Sequence, residues 1–279
     1  MSTKKALSWL GFWVGLALLF NTGVYFFMGP QKALEFLGGY IIEQSLSLDN
    51  LFLFLLIFGS FGIPAQYQRR VLNYGIIGAI ILRLIFVVLG VSIVNRFHWI
   101  LYIFGFVLIL SGIKMMLKNE EHQNFKDNKL LKLLGKIVPV SDELEGEKFF
   151  VRKNKVLYAT PLFAILVLVE GSDLIFAIDS IPAIFSITTD PLIVYCSNIF
   201  AIMGLRNLYF LIEKLHSSFE YVKYGVALIL TFTGIKLSLL MFHIEIPIVL
   251  SILVIFSLLA LSMLASVVMK NSTKVKVTE

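Results

Sequence analysis

Five acidic residues, Glu43, Asp49, Glu170, Asp173 and Asp179, lie in or at the edges of stretches built otherwise from Leu, Ile, Phe, Val and Ala. Four bases, Arg83, Lys114, Arg206 and Lys236, do the same. An Asp, Lys or Arg at the centre of a lipid-embedded helix costs about 2.5–3.5 kcal/mol on insertion scales, so Asp49 and Asp179 together cost roughly 5–7 kcal/mol before compensation. Such charges serve an ion or proton pathway, a set of structural ion pairs, or both. In the structural alternative, Asp49 and Asp179 simply neutralise Arg83 and Arg206.

The available donors narrow the ion. The apolar stretches offer carboxylates, amides and hydroxyls, no histidine, and one thiol, Cys196. Oxygen donors suit Mn²⁺, Mg²⁺ or Ca²⁺, whereas zinc and copper prefer imidazole or thiolate. A hard divalent cation is therefore the expected substrate. His98 and His243 fall at the ends of stretches and read as interfacial, and Glu245 beside His243 is at most a mouth residue.

Helix geometry limits which acids can act together. Residues six apart stand about 9 Å apart along a helix and 240° around it, so Glu43 and Asp49 cannot share one ion on an unbroken helix. The expected site joins Asp49 and Asp179 from two helices, with the oxygens of Asn50 and Ser180 close by. Glu43 and Asp173 then act as gates, secondary ligands or proton carriers. Glu170, Arg83, Arg206, Lys114 and Lys236 complete the set as ion-pair or gating groups. Pro182, soon after Asp179, is expected to break its helix and free backbone carbonyls for the ion.

The elements that must position these residues are membrane spans. Of 279 residues, 58% are hydrophobic and 15% charged, with a mean hydropathy of +0.88. A soluble domain is about 45–50% apolar and about 25% charged. These figures exclude disorder, and the single cysteine excludes an internal disulfide and dithiol redox chemistry. Eight apolar runs are long enough to span: 7–28, 37–60, 71–94, 98–117, 163–187, 191–213, 222–242 and 246–269. The first lacks the small-residue cleavage pattern of a signal peptide and is expected to remain as a helix.

Charge placement sets the expected orientation. With eight spans, 18 of the 24 Lys and Arg share one side with both termini, and only Lys32 and Arg96 lie on the other. Both termini are thus expected to be cytoplasmic. The net charge of +6 then reflects this bias and not a nucleic-acid partner. The polar segment 118–157 mixes acids and bases and reads as a solvated connector, within which Phe149-Phe150-Val151 and Val156-Leu157-Tyr158 are expected to form a small hairpin. Glu120-Glu121-His122 within it reads as a solvated charge run before a metal collector.

An internal repeat orders the acids. Leu46-Ser47-Leu48-Asp49-Asn50 in span 2 parallels Phe176-Ala177-Ile178-Asp179-Ser180 in span 5, each with a second acid six residues earlier. Leu82-Arg83 parallels Leu205-Arg206, and Gly112-Ile113-Lys114 parallels Gly234-Ile235-Lys236. The units start three spans apart, an odd number, so they cross in opposite directions, as in the inverted repeats of many secondary transporters. The expected fold is all-α: an N-terminal flanking helix (1–36), repeat one (37–117), a cytoplasmic loop (118–157), repeat two (158–242), and a C-terminal flanking helix with its tail (243–279).

Residues 43–54 (EQSLSLDNLFLF), 69–86, 104–115 (FGFVLILSGIKM), 160–191 and 197–213 resemble, in order, the TerC family of membrane proteins. The family is named for tellurium resistance, and related members are implicated in manganese efflux and in supplying manganese to exported enzymes. The resemblance implies a manganese exporter in a bacterial inner membrane, and the family's intramembrane acidic positions fall on Glu43, Asp49, Asp173 and Asp179. Three function classes follow. The first is a secondary transporter exporting Mn²⁺, with no resident cofactor. The second is a membrane scaffold or metal-delivery partner, with membrane protein partners and purely structural acids. The third, an intramembrane protease using two aspartates, is disfavoured because neither aspartate follows a Gly-x-Gly pattern, so no enzyme is expected.

Overall fold

The computed structural model describes residues 3–117, 129–141, 144–153, 156–215 and 222–276. Its helices are α1 (Thr3–Met28), α2 (Pro30–Ser60), α3 (Ala65–Arg96), α4 (Ile100–Leu117), α5 (Lys129–Ile137), α6 (Pro161–Phe185), α7 (Pro191–Leu215), α8 (Val222–Leu239) and α9 (Ile248–Lys276). A hairpin of β1 (Phe150–Lys153) and β2 (Val156–Ala159) precedes α6. Proline opens α2, α6 and α7, where the missing N–H has no partner to lose and the fixed φ suits a first turn. Gly29, at φ 91°, makes the reversal between α1 and α2, a conformation an L side chain would resist.

Among the described residues seven helices are long and apolar enough to cross a membrane. α7 bends by 44° between its Pro191–Leu205 and Asn207–Glu213 parts, beside Gly204, and its two parts taken as one span make an eighth candidate. Phe26, Phe27, Ile81, Leu89 and Leu264 point outward from these helices, as lipid-facing residues do. The chain is an all-α, multi-pass integral membrane protein.

The core forms where α2, α3, α6 and α7 meet. α2 runs antiparallel to α6, since Gly38 and Gly39 approach Ile187 and Ile184 while Glu43 and Ser180 share Arg83. α3 runs parallel to α6, with Gly75 and Gly78 against Val169 and Glu170, and Gly90 against Phe185. Outside this junction α4 packs along α8, α1 covers α7 and α2, and α9 covers α8 and α2.

Two expectations change. α6 continues unbroken through Pro182 to Phe185. Pro182 is so near the helix end that it removes one hydrogen bond without breaking the helix, and the bend that was expected there lies in α7 instead. The segment read as a solvated connector contains α5 and the hairpin. The strands pair antiparallel, from Phe150 with Ala159 to Lys153 with Val156, as their composition predicts. The hairpin is clamped on α3: Arg70 reaches Glu147 at 3.3 Å and lies over the rings of Phe149 and Tyr74. Glu120, Glu121 and His122 lie outside the described residues. The end of the bundle carrying α5 and the hairpin is called the cap end below.

Candidate functional site

Among the described residues the most buried charges form an ion pair. Arg83 of α3 and Glu43 of α2 are both almost fully shielded, with Nη2–Oε1 at 2.7 Å and Nη1–Oε2 at 2.8 Å. Arg83 Nη1 also donates to Ser180 Oγ on α6 and Asn198 Oδ1 on α7, each at 2.6 Å. Ser47, one turn along α2, donates to Glu43 Oε1 at 3.2 Å, and Asn198 is itself anchored to the Val194 carbonyl. One guanidinium therefore ties all four core helices together. Charge-assisted, two-pronged contacts of this kind are the geometry that makes a buried arginine tolerable.

A second polar level lies toward the cap end. α2 and α6 run antiparallel, so Asn50 and Asp173 each stand seven residues, about 10.5 Å, from the Glu43–Ser180 level in the same direction. Asn50 is buried and its Oδ1 has no hydrogen-bond partner. Asp173 lines a small cavity of ≈ 20 Å³ at the four-helix junction, together with Leu51, Phe54, Gly75, Val169 and Leu205. That is room for one water or one ion. Asp173 is within electrostatic range of Arg83, Glu43 and Glu170. Glu170 lies in the notch that Gly78 leaves on α3, with Oε2 buried and unpartnered.

Asp179 turns to a different neighbour. It accepts a hydrogen bond from Ser111 of α4 at 3.0 Å and feels the charge of Lys114 one turn further along that helix. Lys236, at the corresponding place in α8, is buried and donates to Ser251 of α9 at 2.8 Å. Its place in the last turn of α8 also suits the partial negative charge of a helix C-terminus.

At the opposite end, Lys32 bridges Glu35 and Asp190, both at 2.9 Å, and Thr188 donates to Glu35 at 2.6 Å. Asp190 also caps α7, accepting from the backbone N–H groups of Leu192 and Ile193. Burial pushes the Asp190 carboxyl up, but the Lys32 ammonium and these two N–H groups outweigh it and hold the group below the usual carboxylate range. This latch joins the start of α2 to the α6–α7 turn. Sequence reading missed it, although Asp-Pro before an apolar run is a helix-start signal.

The family model for the integral membrane protein TerC family matches residues 28–274. The chain belongs to the TerC family. It is 47% identical over 270 residues to the "Putative membrane-bound redox modulator Alx" of Escherichia coli (strain K12), covering 94% of this chain and 84% of that one. It is 44% identical to the "Uncharacterized membrane protein STKORF319" of Myxococcus xanthus, over 95% of this chain and 83% of that protein. An uncharacterized membrane protein of Rickettsia bellii (strain RML369-C) is 45% identical, over 97% of this chain and 89% of its own. No solved structure matches.

In this TerC protein the sequence-predicted residues divide into groups. Glu43, Arg83 and Ser180 come together, and the carboxylate that neutralises Arg83 is Glu43, reaching it from the α2 face that also carries Ser47 and Asn50. Ser180 is engaged by the guanidinium and is not a free oxygen. Asp173 and Asn50 share the second level, Glu170 lies beside it, and Asp179 faces α4 with Lys114. Lys236 of α8 stands apart, bound to Ser251 of α9. The side chains of Asp49 and Arg206 lie outside the described residues. Among the described residues no group of three or more His, Cys, Asp or Glu is gathered around one point.

Proposed function

We propose that this TerC protein is a secondary transporter that exports a hard divalent cation, Mn²⁺, across a bacterial inner membrane with both termini cytoplasmic. The observation that carries the reading is the Asp173 cavity at the four-helix junction. It holds a carboxylate in an otherwise apolar pocket, level with the unpartnered Asn50 oxygen and two turns from a neutralised Glu43–Arg83 pair. A carboxylate and an amide oxygen are hard donors that suit Mn²⁺ over zinc or copper. Asp49 and Asp179 remain in the proposed path as further ligands. Arg83 keeps Glu43 from binding the ion in this state, and releasing Glu43 from Arg83 is one way to pass the ion on.

The same reading takes α2–α4 and α6–α8 as an inverted repeat. Its support is a reciprocal contact. Gly112 abuts Ala227 and Thr231, and Gly234 abuts Gly105 and Ile109. When Gly112 is matched to Gly234, Gly105 falls on Ala227 and Ile109 on Thr231, so each contact is the image of the other. Likewise Glu43 with Ser180 is the image of Asp173 with Asn50. A site at such an interface is where inverted-repeat transporters place their substrate.

A second reading, a membrane partner with structural acids, draws on the tie that Arg83 makes among four helices. Some of the relatives carry a redox name, but this chain has one thiol, Cys196, which has no second cysteine in the chain with which to form a disulfide. Inside-out vesicles loaded with a metal-sensitive dye separate the readings. Mn²⁺ uptake by wild type that is lost in Asp49→Asn, Asp173→Asn and Asp179→Asn at matched abundance is expected. Wild-type uptake no greater than in empty membranes would sink export and leave the partner reading.

A further inference from the structure

The short helix α5, KLLKLLGKI, has three lysines and no acid in nine residues. At 100° per residue its sides are sharply divided. Leu130, Leu131 and Leu134 face the bundle. The next sector carries Leu133 and Ile137, which are 56% and 73% exposed. Lys132 and Lys136, both exposed, follow around the helix. The order protein, aliphatic edge, lysine row is that of an in-plane helix with hydrocarbon on one side and headgroups on the other.

The depth of the contact supports this. Leu130 fills the notch of Gly171 on α6, where any Cβ would collide with it. Gly171 stands ten residues (161 to 171), about 15 Å, along α6 from its first residue, inside the apolar span. α5 thus reaches from that level, at Leu130, back to the first turn of α6, where Lys132 and Gly135 line one cavity with Pro161 and Ala164, and its two exposed aliphatic side chains lie at the edge of the apolar span.

We infer that α5 is an interfacial helix whose Leu133–Ile137 edge enters the acyl boundary and whose Lys132 and Lys136 bind the phosphates of anionic phospholipid, holding α5 against α6 beside Glu170. Lys132 and Lys136, facing a negative leaflet with no acid in their helix, select an anionic over a zwitterionic surface.

The test uses the full chain in lipid nanodiscs. A Cys196→Ser, Leu133→Cys protein carries an environment-sensitive fluorophore at position 133, in phosphatidylcholine alone or mixed with phosphatidylglycerol. The expected result is blue-shifted emission, quenched by nitroxide-bearing lipid more than by aqueous iodide, with phosphatidylglycerol raising the seated fraction. Adding Lys132→Glu and Lys136→Glu should reverse that increment, since each basic residue at an anionic surface contributes roughly a five-fold change. Emission quenched freely by iodide in both lipids would overturn the proposal. A blue shift that nitroxide lipid leaves unquenched would overturn it too, because the edge would then be covered by protein. Lipid quenching indifferent to phosphatidylglycerol would overturn the headgroup recognition.

Discussion

Arg83 gives both terminal nitrogens to Glu43, at 2.7 and 2.8 Å, from a helix on the other side of the core. Removing one member of such a pair strands a charge where water cannot reach it, which costs about 3–5 kcal/mol. Arg83→Ala and Glu43→Ala are therefore expected to be severely destabilised in detergent unfolding. Arg83→Lys should fall between, because a point charge cannot serve Glu43, Ser180 and Asn198 from one plane. The double variant Glu43→Leu, Arg83→Met should recover most of the stability. If it also recovered Mn²⁺ flux, the pair would be purely structural.

The contact of α4 with α8 depends on glycine. A methyl group at Gly112 would meet the Ala227 carbonyl at 2.6 Å, and one at Gly234 the Gly105 carbonyl at 2.7 Å. Backbone cannot step aside as a side chain can, so each Gly→Ala should cost about 1–3 kcal/mol by forcing the helices apart. Once one variant has separated them, the second should add less. Gly15→Ala on α1 is the control, since nothing lies within 4 Å of the added carbon. It should be neutral or stabilise by up to about 1 kcal/mol. Equal losses at all three positions would contradict this account.

The spans, the hairpin and the identity of the buried charges are legible in the sequence because hydropathy and period act locally. The partners of those charges are not. Whether Arg83 reaches Glu43 or Asp49 depends on the rotation of α2 against α3, which no local pattern encodes, although helical spacing puts Glu43, Ser47 and Asn50 on one face. Pro182 misled because a proline near a helix end looks in sequence like one in its middle. α5 was hidden by the surrounding charges of 118–157, yet Leu130, Leu131 and Leu134 already carry its helical period. The Lys32 latch joins residues 158 positions apart (32 to 190), beyond the reach of any local signal.

The unpartnered oxygen of Asn50 offers a cleaner test of the ion path than any carboxylate. Asn50→Leu keeps the branch at Cγ, with some added volume, and removes a buried acceptor that has no partner. Such an exchange is nearly neutral or stabilising for the fold. Mn²⁺ uptake should nevertheless fall at equal protein abundance. Undiminished uptake would remove Asn50 from the path, whereas a large loss of stability would mean its amide holds helices together.

The latch at the end opposite the cap should respond to acid. Asp190 titrates below the usual carboxylate range in the folded protein, against about 3.9 when unfolded. A depressed folded value means that the unfolded chain binds the proton more readily. The stability from this group is then fully present above pH 4 and is lost as the pH falls through the folded value. Asp190→Asn isolates the charge, because asparagine still caps a helix while Lys32 keeps Glu35 at 2.9 Å. The variant should melt below wild type at neutral pH, by an amount equivalent to about 1 kcal/mol or less for a partly exposed pair. The two curves of Tm against pH should converge below pH 4. A gap that stays constant down to strong acid would show that Asp190 acts through its cap alone and that the latch carries no charge term.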